Sequence, residues 1–287
     1  MKIAVITMVY NESVNLPIWI NHYTDQCPGC ELFVIDHGSD VSVRDEFTGI
    51  NVLRLPRSDF DERRRADMVS RLQNALILEF DWVFYTDCDE LVVSRHHDTL
   101  AEALENEPAE VKSVNAVGFN VWHDVDGDES AFDRSRSIGE QRRYAKFEKF
   151  MCKPFASRVP IHWIPGFHTS DLPPHFGSGY YLVHTKYIDY EESDRRRALT
   201  AGLEWSKEAL DKGWSSHQRI DTCELTKKFK KISRAIAGGN LAEFDFEEEP
   251  VRFVAETVQD SKGNWRCDAI FDNKVVELPA TVLSKLP

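Results

Sequence analysis

The stretch WVFYTDCDE, residues 82–90, decides the fold class, because an apolar run is followed at once by acids. The run WVFYT is aromatic and β-branched, as in short buried strands, so Asp87, Asp89 and Glu90 come at its carboxyl end. Two carboxylates separated by one residue suit a hard divalent cation that also binds phosphate oxygens. An exposed acidic turn is the alternative interpretation, because D-x-D motifs also arise by chance.

Strand and helix patterns alternate ahead of this stretch. Apolar runs at residues 2–10, 32–35 and 51–55 predict three more strands. Apolar residues at helical spacing predict a helix over residues 16–23 and another over residues 69–76. This alternation predicts an α/β fold, with a parallel sheet flanked by helices.

Polar residues follow three of the predicted strands, at residues 10–12, 36–40 and 87–90. In open α/β sheets, ligands bind in the crevice beyond the carboxyl ends of the strands. We therefore expect the three polar clusters to converge on one site.

Four segments resemble the family 2 glycosyltransferases of the GT-A fold, which transfer sugar from a nucleotide donor to an acceptor. They are MVYNE at 8–12, VIDHGSD at 34–40, RLQN at 71–74 and DWVFYTDCDEL at 81–91. The resemblance is clearest over residues 1–93. The glutamate after the second aspartate is similar to a D-x-D-E subgroup, as are the later segments GFH and LVHTK.

The resemblance implies a GT-A-type nucleotide-binding sheet, a nucleoside diphosphate sugar as donor, with a UDP-sugar expected first, and Mn²⁺ or Mg²⁺ as cofactor. The implied metal ligands are Asp87, Asp89 and His184. The implied nucleotide-binding residues are Tyr10, Glu12, Asp36, Asp40, Arg71 and Asp87. Many family members have two adjacent acids where this chain has Asp36 and His37, so Asp36, His37 and Asp40 all stay candidates for contact with the base.

His184 comes at the end of an apolar strand predicted over residues 180–183, and neutral imidazole is a common metal ligand. His168 is the alternative third ligand, or orients the donor or acceptor sugar.

The resemblance also implies inversion at the anomeric carbon, for which one carboxylate near the acceptor hydroxyl suffices as base. Asp124, after a strand predicted over residues 113–122, and Asp171 are the candidates, and plain solvent exposure is the alternative for each. Glu148 and Glu90 come next.

Composition limits the class of protein. A formal net charge of −13 over 287 residues argues against nucleic-acid binding, which requires a basic surface. The N-terminus lacks signal-peptide architecture, and no stretch approaches the length of a membrane span. Six cysteines are sparse for this length, and the pair Cys27 and Cys30 flanks a Pro-Gly turn, so a reducing, cytoplasmic location is predicted.

The patterns divide the chain into a core at 1–190, a helical segment at 191–240 and a small β appendage at 241–287. Within the core, residues 1–93 form the predicted nucleotide-binding half and residues 94–190 the acceptor half.

The appendage is predicted as a meander of strands at 251–258, 265–271 and 274–278. A helix predicted over residues 222–237 has a lysine-rich face, which is either solvated or in peripheral contact with the inner face of a membrane. The acceptor is accordingly expected to be a glycan or a lipid-linked molecule.

Two other classes fit parts of the pattern. A sugar-nucleotide nucleotidyltransferase also uses metal-binding acids on an α/β sheet, but residues 7–12 contain no glycine to form a phosphate loop. A non-catalytic carbohydrate- or nucleotide-binding module, whose acids hold a structural ion, is the other alternative.

Overall fold

A computed structural model of the chain describes residues 1–128, 131–211, 213, 216–271 and 275–287. The strands in these ranges are β1 Ile3–Val9, β2 Glu31–Asp36, β3 Asn51–Arg54, β4 Trp82–Tyr85, β5 Glu90–Ser94, β6 Ser113–Asn115, β7 Val117–Trp122, β8 Tyr144–Phe147, β9 Pro154–Ser157, β10 Tyr180–Tyr187, β11 Thr257–Gln259, β12 Trp265–Cys267 and β13 Val275–Glu277.

The helices connect and cover these strands. They are α1 Asn15–Gln26, α2 Val43–Glu46, α3 Glu62–Leu76, α4 Leu100–Glu105, α5 Ile138–Gln141, α6 Tyr190–Ala201, α7 Lys207–Asp211, α8 Thr222–Ala237, α9 Glu248–Ala255 and α10 Ala280–Leu283, with 3-10 turns at Lys149–Met151 and Ser216–Gln218.

The first sheet has the order β3-β2-β1-β4-β9-β6, in which β3, β2, β1 and β4 are parallel. Because side chains alternate along a strand, Val5 of β1 packs in the same core cluster as Trp19 of α1, while Ile6 packs with Val69 of α3. Helices thus cover both faces, which confirms the predicted α/β fold. The carboxyl ends of β1, β2 and β4 meet at one edge.

The second sheet has the order β13-β8-β7-β10-β5. A short turn after β4 carries the chain from the first sheet into β5 of the second. Strand β10 lies between β5 and β7, with His184 opposite Glu90 on one side and Asn120 on the other. His184 therefore lies within an eight-residue strand, not at the end of a four-residue one.

The strand predicted over residues 113–122 is in fact two strands in different sheets. The chain leaves the first sheet after Asn115, whose backbone and side chain both bond to His175. Strand β5 belongs to the second sheet, and β6 and β9 to the first. Residue 93, the predicted boundary between the two halves of the core, lies within β5.

The C-terminal region differs in detail from the predicted meander. Residues 251–255, predicted as part of a strand, lie in α9, where Glu248 and Glu249 occupy the first turn and Phe253 is buried. Acidic side chains near a helix N-terminus and a proline in the first turn both favour a helix there. Strands β11 and β12 form a hairpin, and β13 joins β8 in the second sheet. Residue 274, predicted to begin the third strand, lies outside the described residues.

Helix α8 confirms the periodicity seen in the sequence. Phe229 is buried on its inner face against Trp122, whereas Lys227, Lys231 and Arg234 are exposed. Within the described ranges, every helix is too short or too polar to cross a membrane.

Candidate metal and nucleotide site

A cavity of about 300 Å³ lies at the edge where β1, β2 and β4 end, and it is closed on one side by β10 and α6. That volume is at the lower end of the range for small-molecule sites. Its lining includes the predicted site residues Tyr10, Glu12, Asp87, Asp89 and His184. The expected convergence of the first and third polar clusters is therefore present in the structure.

The turn after β4 is fixed by its own glutamate. The backbone N–H of Asp87 donates to Glu90 Oε2 at 2.9 Å, and the other oxygen of Glu90 lies 2.7 Å from Lys153 Nζ. The side chains of Glu90 and Lys153 are 2% and 1% exposed. Burial raises the pKa of Glu90, and the charge of Lys153 opposes this rise. Glu90 therefore shapes the turn and is engaged by a lysine, which disfavours it as the base.

Asp89 and His184 face each other across the junction of the two sheets. Asp89 Oδ2 lies 3.1 Å from His184 Nε2, and His184 Nδ1 lies 2.6 Å from Asn120 Oδ1. Burial raises the pKa of Asp89, but His184, then Lys186 and Arg196, outweigh this and hold the pKa below its usual value. Asp89 is therefore a partly buried carboxylate, 25% exposed, in a cationic surrounding.

The same pair fits two ligands of one metal ion. With Nδ1 donating to the Asn120 oxygen, His184 directs Nε2 at the Asp89 carboxylate, and either a proton on Nε2, as in an ion pair, or a metal cation bound by both atoms completes this contact. Two ligands at about 2.1 Å from an ion and at right angles to each other lie about 3 Å apart. The observed 3.1 Å separation matches that geometry.

Asp87, the third implied ligand, is held differently. Its Oδ1 accepts a 2.8 Å hydrogen bond from the Tyr85 hydroxyl and lies 3.5 Å from an Arg65 nitrogen. Across the described part of the chain, no three His, Cys, Asp or Glu side chains are already gathered around one point as metal ligands. Asp89 and His184 would hold an ion together, and Asp87 lines the same cavity beside them.

The far end of the cavity carries an aromatic ring and cations. The Arg57 guanidinium lies 3.9 Å from the centre of the Tyr10 ring, and Arg57 also contacts His37 Nδ1 at 3.2 Å. Burial, and then the charge of Arg57, lower the pKa of His37 to about 4. His37 is therefore neutral at pH 7, and in the cavity lining the Arg57 guanidinium stacks on the Tyr10 ring.

Glu12 is tied to the helical segment. Its carboxylate lies 2.9 Å from Arg196 of α6, and Arg196 also donates to the backbone oxygen of Asn11 at 2.9 Å. Asn11 has a φ of 48°, a left-handed conformation that few residues other than glycine adopt. Burial raises the pKa of Glu12, and Arg196 opposes this rise. Arg196 thus fixes the turn after β1 and closes one wall of the cavity.

Three implied nucleotide-binding residues lie outside the described lining of the cavity. Asp36 is fully buried and accepts hydrogen bonds from the Ser39 backbone at 2.8 Å and from Arg54 at 2.9 Å, so it organises its own turn. Asp40 is exposed and bonded to Asn11. Arg71 is on the exposed face of α3. His37, left open as an alternative to Asp36, does line the cavity.

The first two candidate bases, Asp124 and Asp171, also lie outside the described lining. Asp124 is 7% exposed and its Oδ1 accepts from the Asp126 backbone at 3.2 Å, within a loop that an Asp126–Lys230 ion pair ties to α8. Asp171 is exposed and its carboxylate accepts from the backbone of the neighbouring segment, at residue 162. Both carboxylates therefore stabilise loops away from the cavity.

Sequence reasoning missed several cationic residues around the site, among them Arg57, Arg65, Lys153 and Arg196. The first two lie in an arginine-rich stretch ahead of Arg71, and that stretch was a usable signal. Lys153 and Arg196 come from distant segments, and only the fold brings them to the site.

Comparison with solved structures finds glycosyltransferases. A mannosyltransferase from Pyrobaculum calidifontis, in complex with GDP-Man and Mn²⁺, is 19% identical, with 40% of this chain and 35% of that chain covered and a TM-score of 0.31. TarS 1–349 from S. aureus is 13% identical, with 88% and 79% covered and a TM-score of 0.36. Its complex with UDP is 14% identical, with 89% and 79% covered and a TM-score of 0.34.

This chain spans only 35% of the length of the mannosyltransferase. At TM-scores below 0.5, these likenesses assign no activity to this chain. No protein-family model matches the chain, and no curated protein does.

Proposed function

We propose that this protein is a metal-dependent, inverting glycosyltransferase. It moves a sugar from a nucleoside diphosphate donor, with UDP-sugars the first to test, to a hydroxyl of a glycan or lipid-linked acceptor. Asp89 and His184 hold Mn²⁺ or Mg²⁺, with Asp87 beside them, and the end of the cavity at Tyr10, His37 and Arg57 takes the nucleoside.

The Asp89–His184 pair is the observation that carries this proposal. A carboxylate oxygen and an imidazole nitrogen meet at 3.1 Å inside a ligand-sized cavity, at the sheet edge where α/β proteins bind nucleotides. The likeness of the segments around Asp89 to family 2 glycosyltransferases supports the same reading.

The protein's own side chains bind the donor, offset the charge of its diphosphate and position the turn that carries the metal ligands. Lys186 and Arg196 lie close enough to lower the pKa of Asp89, and they face an anionic pyrophosphate in a protein whose net charge is −13. Lys153 and Glu90 hold the turn that presents Asp87 and Asp89. A bound divalent ion supplies Lewis-acid stabilisation of the departing diphosphate.

The test is a thermal-shift titration of the whole chain with UDP or GDP, each with and without Mn²⁺ or Mg²⁺. A ligand that binds only the folded state raises apparent stability, by about 2.7 kcal/mol at a hundredfold excess over Kd. Asp89→Asn and His184→Gln should abolish the metal-dependent part of the shift. Asp25→Asn, an exposed change on α1 with the same loss of charge, is the matched control.

Donor turnover separates the alternatives. Release of nucleoside diphosphate from UDP-glucose, UDP-N-acetylglucosamine or GDP-mannose is expected with Mn²⁺. A nucleotidyltransferase would instead form nucleoside triphosphate from these donors and pyrophosphate, and a binding module would do neither. Metal-independent binding in both variants and the parent would contradict the assignment of Asp89 and His184.

A further inference from the structure

Arg65, near the N-terminus of α3, joins the helix to the acidic motif after β4. Its side chain lines the cavity and is 16% exposed. Two different nitrogens of its guanidinium contact acids, because Nη1 lies 3.1 Å from Glu62 Oε2 and Nη2 lies 3.5 Å from Asp87 Oδ1. One planar group thus connects a buried acid of α3 to the first acid of the motif.

Aromatic rings lie against the same guanidinium. Its central carbon is 5.1 Å from the centre of the Phe60 ring and 5.5 Å from that of the Phe167 ring. Both distances are within the range in which a ring attracts a cation. The centre of the Phe167 ring in turn lies 4.4 Å from that of Tyr85, at the end of β4. Movement of Arg65 out of this position would lose both ring contacts as well as its ion pairs.

The two carboxylate oxygens of Asp87 have different surroundings. Oδ1 accepts a 2.8 Å hydrogen bond from the Tyr85 hydroxyl, in addition to its contact with Arg65. Within the described ranges Oδ2 accepts no hydrogen bond, and Lys153 Nζ is 4.0 Å away, beyond hydrogen-bond range. Since α3 and β4 both hold Oδ1, rotation of the carboxylate is restricted, and Oδ2 is the oxygen available to a ligand.

Charge compensation does not account for the Arg65 contact. The side chain of Asp87 is 32% exposed, so water solvates part of its charge, whereas Glu90 is 2% exposed and depends on Lys153. An ion pair that is partly exposed contributes little to stability. Its effect on orientation is larger, because carboxylates that bind metal are held by neighbouring groups whose loss lowers metal affinity about 10–100-fold.

We propose that Arg65 is a positioning residue of the metal site, which holds Asp87 Oδ1 so that Oδ2 is presented to the ion. This inference rests on the metal-dependent glycosyl transfer proposed above. A lysine at position 65 keeps the charge, but its single nitrogen cannot contact Glu62 and Asp87 as the two guanidinium nitrogens do. Arg65→Lys therefore separates orientation from charge.

Calorimetric titration of Mn²⁺ into the whole chain, saturated with UDP or with GDP, measures this effect. We expect Arg65→Lys to weaken Mn²⁺ binding by a factor of about 10–100 and to leave nucleotide affinity without metal unchanged. Tyr85→Phe, which removes the other contact of Oδ1, should weaken Mn²⁺ binding too, and it serves as the test if Arg65→Lys does not fold. The matched control is Arg64→Lys, an exposed change on the same helix, which should match the parent.

A double-mutant cycle tests whether Arg65 acts through Asp87. In the Asp87→Ala background, Arg65→Lys should weaken Mn²⁺ binding no further, because the carboxylate that Arg65 orients is already gone. An equal loss of Mn²⁺ affinity with and without Asp87 would mean that Arg65 supports the fold of the site and does not position this ligand.

Three other results would be decisive. Mn²⁺ affinity in Arg65→Lys equal to that of the parent would deny Arg65 this role. Tighter Mn²⁺ binding in Arg65→Gln would show that the charge of Arg65 competes with the ion. If the parent bound no Mn²⁺ with either nucleotide, the proposed function itself would fail, whereas a parent that binds Mn²⁺ beside an unimpaired Arg65→Lys would overturn this inference alone.

Discussion

Replacing Lys153 by methionine is expected to destabilise the protein strongly, because it leaves a buried carboxylate without its counter-charge. Lys153 Nζ lies 2.7 Å from Glu90 Oε1, and these side chains are 1% and 2% exposed. Burial disfavours the charged lysine, yet Glu90 and then Asp87 raise the pKa of Lys153 above its ordinary value. Methionine has similar length and no charge, so the change removes the interaction with little change in volume.

The expected fall in the free energy of unfolding follows from the burial of both Glu90 and Lys153. Removing one member of a buried ion pair costs about 3–5 kcal/mol, because the remaining charge is neither solvated nor paired. Protonation of Glu90 relieves this penalty. The loss should therefore be full at pH 7 and shrink as the pH falls through the raised pKa of Glu90, where the neutral acid needs no partner.

Urea unfolding at pH 7 and pH 5 measures this effect. For a chain of this size, with an m-value of about 3 kcal/mol/M, a loss of 3 kcal/mol lowers the midpoint by about 1 M. Lys112→Met is the matched control, since Lys112 is exposed and its loss should change stability by no more than about 0.5 kcal/mol. The double variant Glu90→Gln, Lys153→Met should recover part of the loss.

Two results would refute this account: a fall in the free energy of unfolding of less than about 1 kcal/mol for Lys153→Met at pH 7, or a larger fall at pH 5 than at pH 7. The first result would mean that water reaches Glu90, and the second that Glu90 is not the residue left charged. Nucleotide binding by the folded fraction should also weaken, because Glu90 shapes the turn that carries Asp87.

Three further predictions concern other parts of the structure. Asp89→Ala should leave the fold intact but remove the Mn²⁺-dependent thermal shift with UDP, and a shift like that of the parent would show that Asp89 is no ligand. Asp36→Ala should lower the free energy of unfolding by about 2 kcal/mol or more, because the buried turn bonds and the partly exposed Arg54 lose their acceptor; unchanged stability with weakened UDP binding would instead favour contact with the nucleotide. Burial lowers the pKa of His22 to about 4, so the folded protein holds this side chain neutral. The contribution of His22 to the free energy of unfolding is therefore full above about pH 6.5 and falls as the pH drops toward 4. At about 1.36 kcal/mol per pKa unit, the total loss is on the order of 3 kcal/mol. His22→Gln, which can still donate to the Val92 oxygen, should flatten that part of the pH profile, and an unaltered slope would contradict this account.

Local sequence patterns determined the strands and helices of the first 90 residues. The apolar runs of β1, β2 and β4 are buried on both faces, and helices α1 and α3 have one-sided apolar stripes. These patterns depend on the period of a single segment, so they can be read without knowing what the segment packs against. They placed the acids of residues 87–90 at the sheet edge. They gave the wrong element for residues 251–255, because an apolar pattern this short does not distinguish a helix from a strand.

Tertiary structure decided how the site is assembled. The β5–β10 register sets His184 beside Asp89, 95 residues away. Lys153, just before β9, and Arg196 of α6 likewise reach the site from distant segments, and the loop after β7 carries Asp124 away from it. Strand register and helix docking are set by the packing of the whole core, and a single segment carries no record of its distant partners. For that reason the sequence alone located the edge of the sheet where the acids lie, and only the fold determined which side chains meet there.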